Sequence, residues 1–189
     1  MAENKFRNLL QETSAPILSD GAMGTMLHAR GAGFTQCFDA LNLTQPDLVT
    51  DIHRTYIEAG AEMIQTNTFG ANSYKLGVHG LAHQAAEINH AGVQLVRRAF
   101  REASREGLAA GDVGPLGVRL APFGRVQPEQ ARQAFAEQIQ ALAEAGVDLL
   151  ILETFSDVLE LGEAIAAARQ VCDLPVVASM TFTRDDRTI

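Results

Sequence analysis

The sequence predicts an α/β fold on a parallel sheet, and more narrowly the opening part of a (β/α)8 barrel. Two observations carry this. Short apolar runs alternate with amphipathic helical stretches along the 189 residues, the pattern of strands joined in parallel by helices. Polar residues also close the apolar runs, with Asp20, Asn67, Glu153 and Ser179 at the ends of the first, second, fourth and fifth. A barrel gathers such strand ends on one rim. An open doubly wound sheet also fits the alternation, but it binds at one switch point and does not need every strand. About five βα units are legible, too few to close a barrel.

The units follow in order. The first 16 residues form a polar, amphipathic lead-in, and the barrel portion is read over 17–189. The first strand is predicted at Ile17–Asp20, running into the Gly-rich "GAMGT". A helix follows over 44–60, with Thr44 as N-cap, Pro46 in the first turn and Gly60 beyond the end. "EMIQTNTF" is the second strand. A longer helix spans roughly 84–106, with Ile88, Val93, Leu95, Val96 and Phe100 as its apolar members. "LAAGDVGPLG" has poor strand propensity, but its place in the alternation makes it the third strand. A helix from Pro128 to Ala145 stops at Gly146, and "VDLLILETF" is the fourth strand. A helix over 156–172, capped by Ser156 or Asp157, leads to "LPVVASMTF", the fifth. The polar "TRDDRT" after it stands where a βα loop belongs, so the chain is expected to continue past Ile189.

The totals exclude some functions. A net charge of -8 disfavours nucleic acid and acidic membrane surfaces. No apolar run has the length of a membrane span, and the polar start lacks a secretory core. Cys37 and Cys172 stand far apart, which suits a reducing, cytoplasmic setting and gives no metal signature.

One junction is written twice: "IEAGAEMIQTNTF" at 57–69 and "AEAGVDLLILETF" at 143–155. Gly as helix stop and an apolar strand account for most of it. They do not account for Glu153, a carboxylate that ends an apolar strand and needs a partner. The two copies lie on alternate strands, which share interior layers in a barrel. Asn67 and Glu153 are therefore expected at matching heights on one rim, while strand alternation turns Thr66 and Thr154 elsewhere. In "SDGAMGT", Asp20 closes a strand, and Gly21 and Gly24 let a ligand approach the backbone. Exposed amides of such a turn hold carboxylates or phosphates, and a tight structural turn is the plainer alternative. Paired with Glu153, this turn reads as a clamp for an amino acid, with amides on the α-carboxylate and Asp20 and Glu153 on the α-ammonium.

"DGAMGT", "QCFDALNLTQPDLV", "IHRTYIEAGAEMIQTNTFGAN", "GPLG" and "GVDLLILETF" together resemble the homocysteine S-methyltransferase family over about residues 17–182. Within it, the chain is most similar to homocysteine-binding modules that serve cobalamin-dependent methionine synthesis or are fused to a methylenetetrahydrofolate reductase. The resemblance implies a (β/α)8 barrel that binds homocysteine at its C-terminal rim for methyl transfer to the thiolate. It implies that Asp20, the Gly21 and Ala22 amides and Glu153 hold the amino-acid part, with Thr66 and Asn67 also on the rim. Ser179 joins them as the polar end of the fifth strand. It further implies zinc on three cysteines, expected beyond Ile189, since neither Cys37 nor Cys172 matches a zinc position. The segment alone is then expected to be inactive. Methylcobalamin or methyltetrahydrofolate is implied as methyl source, from a fused or associated cobalamin, folate or reductase domain. Gly70 stands where betaine-using members carry an aromatic residue, and the chain has no Trp for a cation cage. A phosphosugar barrel and a non-catalytic half-barrel remain as alternatives.

His79 and His83 are helically spaced, but Gly77 and Gly80 interrupt them. Glu87 and His90 form one Glu-x-x-His without the second copy a di-iron site needs. His53 is read as a solvent-facing or packing residue, and Cys37 and Cys172 as small buried ones.

Overall fold

Four parallel strands pair in sequence order: β1 (Met63–Gln65), β2 (Leu108–Val113), β3 (Leu149–Phe155) and β4 (Val176–Met180). The computed structural model describes residues 4–12, 14–33 and 35–182. "TRDDRT" lies outside them. The helices are α1 (Lys5–Glu12), α2 (Met23–Ala29), α3 (Leu41–Thr44), α4 (Pro46–Glu58), α5 (Ser73–Val78), α6 (Ala85–Glu102), α7 (Pro128–Ala145) and α8 (Val158–Val171).

The expected first strand is reduced to one parallel bridge, Ser19 with Met63. Asp20 explains why it stops. Its Oδ2 accepts the Gln65 N–H at 3.0 Å, taking a bond that a further strand carbonyl would make. β1 is also shorter than expected. The Thr68 N–H turns back to the Thr66 carbonyl at 2.9 Å, so Asn67 lies in a loop past the strand end. The third strand forms despite its composition, and all its residues are buried. Gly111 is the reason small residues suit it: an added Cβ would stand 3.1–3.4 Å from Leu150, Leu142 and Val147.

Helix ends follow local chemistry. α7 has the predicted bounds, with a capping box between Gln127 and Gln130 and left-handed Gly146 as its stop. Asp157, rather than Ser156, caps α8 by accepting the Leu159 and Glu160 amides. Thr44 does not cap α4. It ends α3 and returns its hydroxyl to the Ala40 carbonyl, leaving Gln45 as an N-cap without a side-chain bond. α6 ends at Glu102, short of the expected bound, and its predicted apolar members are all buried.

The outer face of the sheet carries the main core. Val113, Leu150 and Leu152 meet Phe135, Ile139, Leu142, Leu161 and Ala164 of α7 and α8. Each such large apolar side chain contributes about 1.5–3 kcal/mol. The other face is the barrel interior. At its lower end Leu108, Ala110 and Leu149 pack with Met63, Ile151 and with Phe6 and Leu9 of α1. α1 is pinned beneath the sheet: Asn4 donates to the Asp148 carbonyl at 3.0 Å and Arg7 to the Asp173 carbonyl at 3.3 Å. This is an α/β fold with the strand order of a (β/α)8 barrel in part.

Candidate functional site

Above the apolar interior the lining turns acidic. On β2, Asp112 follows Leu108 and Ala110 on the inward side. On β3, Glu153 follows Leu149 and Ile151. The loops above the strands close a cavity of about 490 Å³ around them, with Asn67, Asp39, Lys75 and Cys37 in its wall.

The register explains how the doubled junction reaches one site. Gln65 pairs with Ala110, and Ala110 with Leu149, so Asn67 stands two residues out of register with Glu153. A barrel whose shear equals its strand count needs that stagger for alternate strands to share a layer. Both residues line the cavity. Asn67 donates its Nδ2 to the Phe38 carbonyl at 2.7 Å and to Asn42 Oδ1 at 3.0 Å, and its own Oδ1 is uncommitted among the described residues.

Thr66 also lines the cavity, but its hydroxyl is committed to the sheet. It accepts the Asp112 N–H at 3.0 Å and lies 2.6 Å from Thr68 Oγ1. Thr68 donates to the Asp112 carbonyl, so the proton between the two threonines comes from Thr66. Glu153 sits on a bulge. Leu152 pairs with Ala178 and Phe155 with Met180, so Glu153 and Thr154 together oppose Ser179. Thr154 adopts φ +62 there and donates its hydroxyl to Glu153 Oε2 at 3.2 Å. Ser179 is exposed and outside the cavity lining.

Asp20 stands behind the cavity wall. Besides Gln65 it accepts the Ser19 hydroxyl at 3.2 Å, and burial raises its carboxyl to about 6. The Gly21 and Ala22 amides donate to no described residue. Gly21 lets the turn lie close to the Tyr56 ring, 3.2 Å from where a Cβ would stand, and the Tyr56 hydroxyl donates to the Ala22 carbonyl. Met23 and Gly24, at the start of α2, line the cavity.

Three groups were not singled out from sequence. Asp112 is 7% exposed, and its Oδ1 is buried with no hydrogen-bond partner. Burial raises its carboxyl well above the ordinary range, and the Glu153, Asp39 and Asp20 charges act the same way. Asp39 accepts the Gly70 N–H at 2.8 Å, and burial raises it too. Lys75 lies over the Phe69 ring at 4.2 Å, its stem between Gly70 and Gly117, and burial lowers its ammonium. A polar residue in "LAAGDVGPLG" was the available signal for Asp112, hidden by weak strand propensity. The acidic lining attracts an ammonium group and repels phosphate, which counts against a phosphosugar ligand.

Among the described residues no group of three or more His, Cys, Asp or Glu is arranged to hold a metal ion. Cys37 lines the cavity and is half-buried, not buried as expected. Its Sγ lies 3.9 Å from Asp39, and burial raises the thiol. Cys172 is also half-buried and donates to the Ala168 carbonyl. The residues present do not fit a zinc ion. His79 lines the cavity, whereas His83 is exposed on a neighbouring turn and His90 faces Glu144 at 3.8 Å. His53 packs at 1% exposure, with neither ring nitrogen partnered.

A partial parallel barrel with an acidic cavity of small-molecule size above its strand ends places the chain among the α/β-barrel proteins. Residues 17–189 match the family model described as homocysteine S-methyltransferase, and the chain belongs to that family. It is 33% identical over 179 residues to methionine synthase of Mycobacterium tuberculosis, covering 87% of this chain and 15% of that protein. To methionine synthase of Mycobacterium leprae it is 32% identical, covering 89% and 15%. Two solved structures of the homocysteine methyltransferase MmuM from Escherichia coli superpose on it. The oxidized form gives a TM-score of 0.79 at 29% identity, covering 96% of this chain and 66% of that one. The metallated form gives 0.76 at 27%, covering 95% and 67%. The chain thus spans about a seventh of these methionine synthases and about two thirds of MmuM. No helix among the described residues is long and apolar enough to cross a membrane.

Proposed function

We propose that this chain supplies the homocysteine-binding part of a homocysteine S-methyltransferase that forms methionine. The observation that carries the reading is the acidic cavity at the strand ends, where Glu153 and Asn67 meet in a member of this family. Glu153 takes the α-ammonium. The unpartnered Gly21 and Ala22 amides take the α-carboxylate, with Asp20 beside them. Thr66 holds the wall through its sheet bonds, and Ser179 borders the rim at β4.

The chemistry is a displacement. The homocysteine sulfur, as thiolate, forms a bond to the methyl carbon while the donor–methyl bond breaks. A free thiol is mostly protonated near neutrality, so its proton must leave first. The family resemblance assigns that task to zinc on three cysteines, a set that Cys37 and Cys172 do not match. The described residues do not fit that ion. For the donor we favour methylcobalamin or methyltetrahydrofolate, delivered by a fused or associated cobalamin, folate or reductase domain. A quaternary ammonium donor is disfavoured because the Phe69 ring is already covered by Lys75. Two unpaired cysteines suit a cytoplasmic setting.

In the complete protein, Glu153→Ala should weaken L-homocysteine binding about tenfold or more, as expected for a lost charge-assisted bond. Metal content should be unchanged. Calorimetric titration showing undiminished affinity would sink the assignment.

A further inference from the structure

We propose that Asp112 and Glu153 act as one carboxyl pair, in which Asp112 holds a proton beside Glu153 while the cavity is empty and gives it up for the ammonium group of an amino-acid ligand. The inference rests on the amino-acid reading of the site and adds Asp112 to it as a binding residue.

The placement comes from the sheet. Asp112 pairs in register with Ile151, and Glu153 is the next inward residue above Ile151. The two are thus diagonal neighbours on adjacent strands, in one cavity wall. Asp112 is more than nine-tenths buried, and no cation pairs with it at ion-pair distance among the described residues. Two carboxylates so placed cannot both ionise readily without a countercharge, so the empty pair keeps a proton. Burial and the charges of Glu153, Asp39 and Asp20 all favour that proton on Asp112. The groups facing it are Asp20, Asp39, Glu153 and, opposing them, Lys75 of α5, with His79 further along the lining.

The orphan Oδ1 of Asp112 points to what completes the pair. An ammonium group brings three N–H donors and a positive charge. One donor serves Asp112 Oδ1, one a Glu153 oxygen, and the third the uncommitted Oδ1 of Asn67. Once the cation is seated both carboxylates ionise, and the displaced proton goes to solvent. Charge and protons balance without any other reactant.

Linkage fixes the sign. The empty site binds one more proton than the loaded one, so affinity rises with pH, by up to about tenfold per unit. The test is calorimetric titration of L-methionine into the 189-residue chain, between pH 7 and 8, where Asp20 at about 6 is already largely ionised, in buffers of different ionisation heat. Methionine is the probe because its thioether carries no titratable proton. We expect release of up to one proton per ligand, a pH-independent affinity in Asp112→Asn and no proton release in that variant. Glu153→Gln should lose the release as well, and it carries the test if Asp112→Asn does not fold by circular dichroism. Binding without proton release, or release that survives in the folded variants, overturns the pair while leaving the amino-acid site standing. No methionine binding at any of these pH values overturns the amino-acid reading and the pair together.

Discussion

Three glycines are explained by three side chains. A Cβ on Gly114 would run into the Phe69 ring, one on Gly70 would stand 2.7 Å from Asp39 Oδ2, and one on Gly117 would stand 3.2 Å from the Lys75 stem. The "TFGAN" and "GPLG" motifs thus seat an aromatic ring and a lysine in the cavity wall. We expect Gly114→Ala to cost about 1–3 kcal/mol by overpacking, measured by urea denaturation. His53 makes a second case. Burial without partners lowers its pKa to about 4, so the folded protein binds fewer protons there than the unfolded chain between about 4 and 6.5. Stability from this residue therefore falls as pH drops through that window. The raised carboxyls of Asp20 and Asp112 act oppositely, because the fold holds their protons. His53→Leu isolates the histidine: its stability advantage over the parent should grow by roughly 2 kcal/mol from pH 7.5 to pH 5. Glu153 was legible because a carboxylate after four apolar residues has no packing reason to be there. Asp112 was not, since Ala, Gly and a following Gly-Pro disguise where its strand ends.

At the scale of elements, the helices were the most legible. α7 declared both ends through Pro128 and Gly146, and α8 declared its start to within one residue, with Asp157 rather than Ser156 as the cap. Strand ends were less so, because side chains complete the ladder there. Asp20 replaces a carbonyl beside β1, and the Thr66–Thr68 turn hands its bonds to β2. The bulge at the top of β3 left no sequence signal, since threonine is a poor residue for φ +62. Such a conformation costs about 1–3 kcal/mol and clusters at functional sites. We expect Thr154→Gly to raise stability by up to about 1 kcal/mol after the glycine entropy cost. The same change should weaken amino-acid binding, because Glu153 loses the hydroxyl that orients it. Thermal melts and methionine titrations on one preparation would separate the two effects.

At the scale of the molecule, the described sheet has two open edges, the single-bridge segment at Ser19 and β4, with Val177 40% and Phe182 60% exposed. Unpaired edges and bare apolar side chains promote association. Sedimentation of the 189-residue chain should show self-association rising with concentration, and a clean monomer with cooperative unfolding would count against a barrel in part. The lower end of the interior is shut by Phe6 and Leu9 of α1 against Leu108 and Leu149. A floor closed in this way leaves the acidic chamber facing the strand-end mouth and the sheet's open edges, so occupant and newcomer contend for one set of carboxylates rather than passing each other through the barrel. For a methyl-transfer reaction run at this site, methionine should then inhibit competitively against homocysteine.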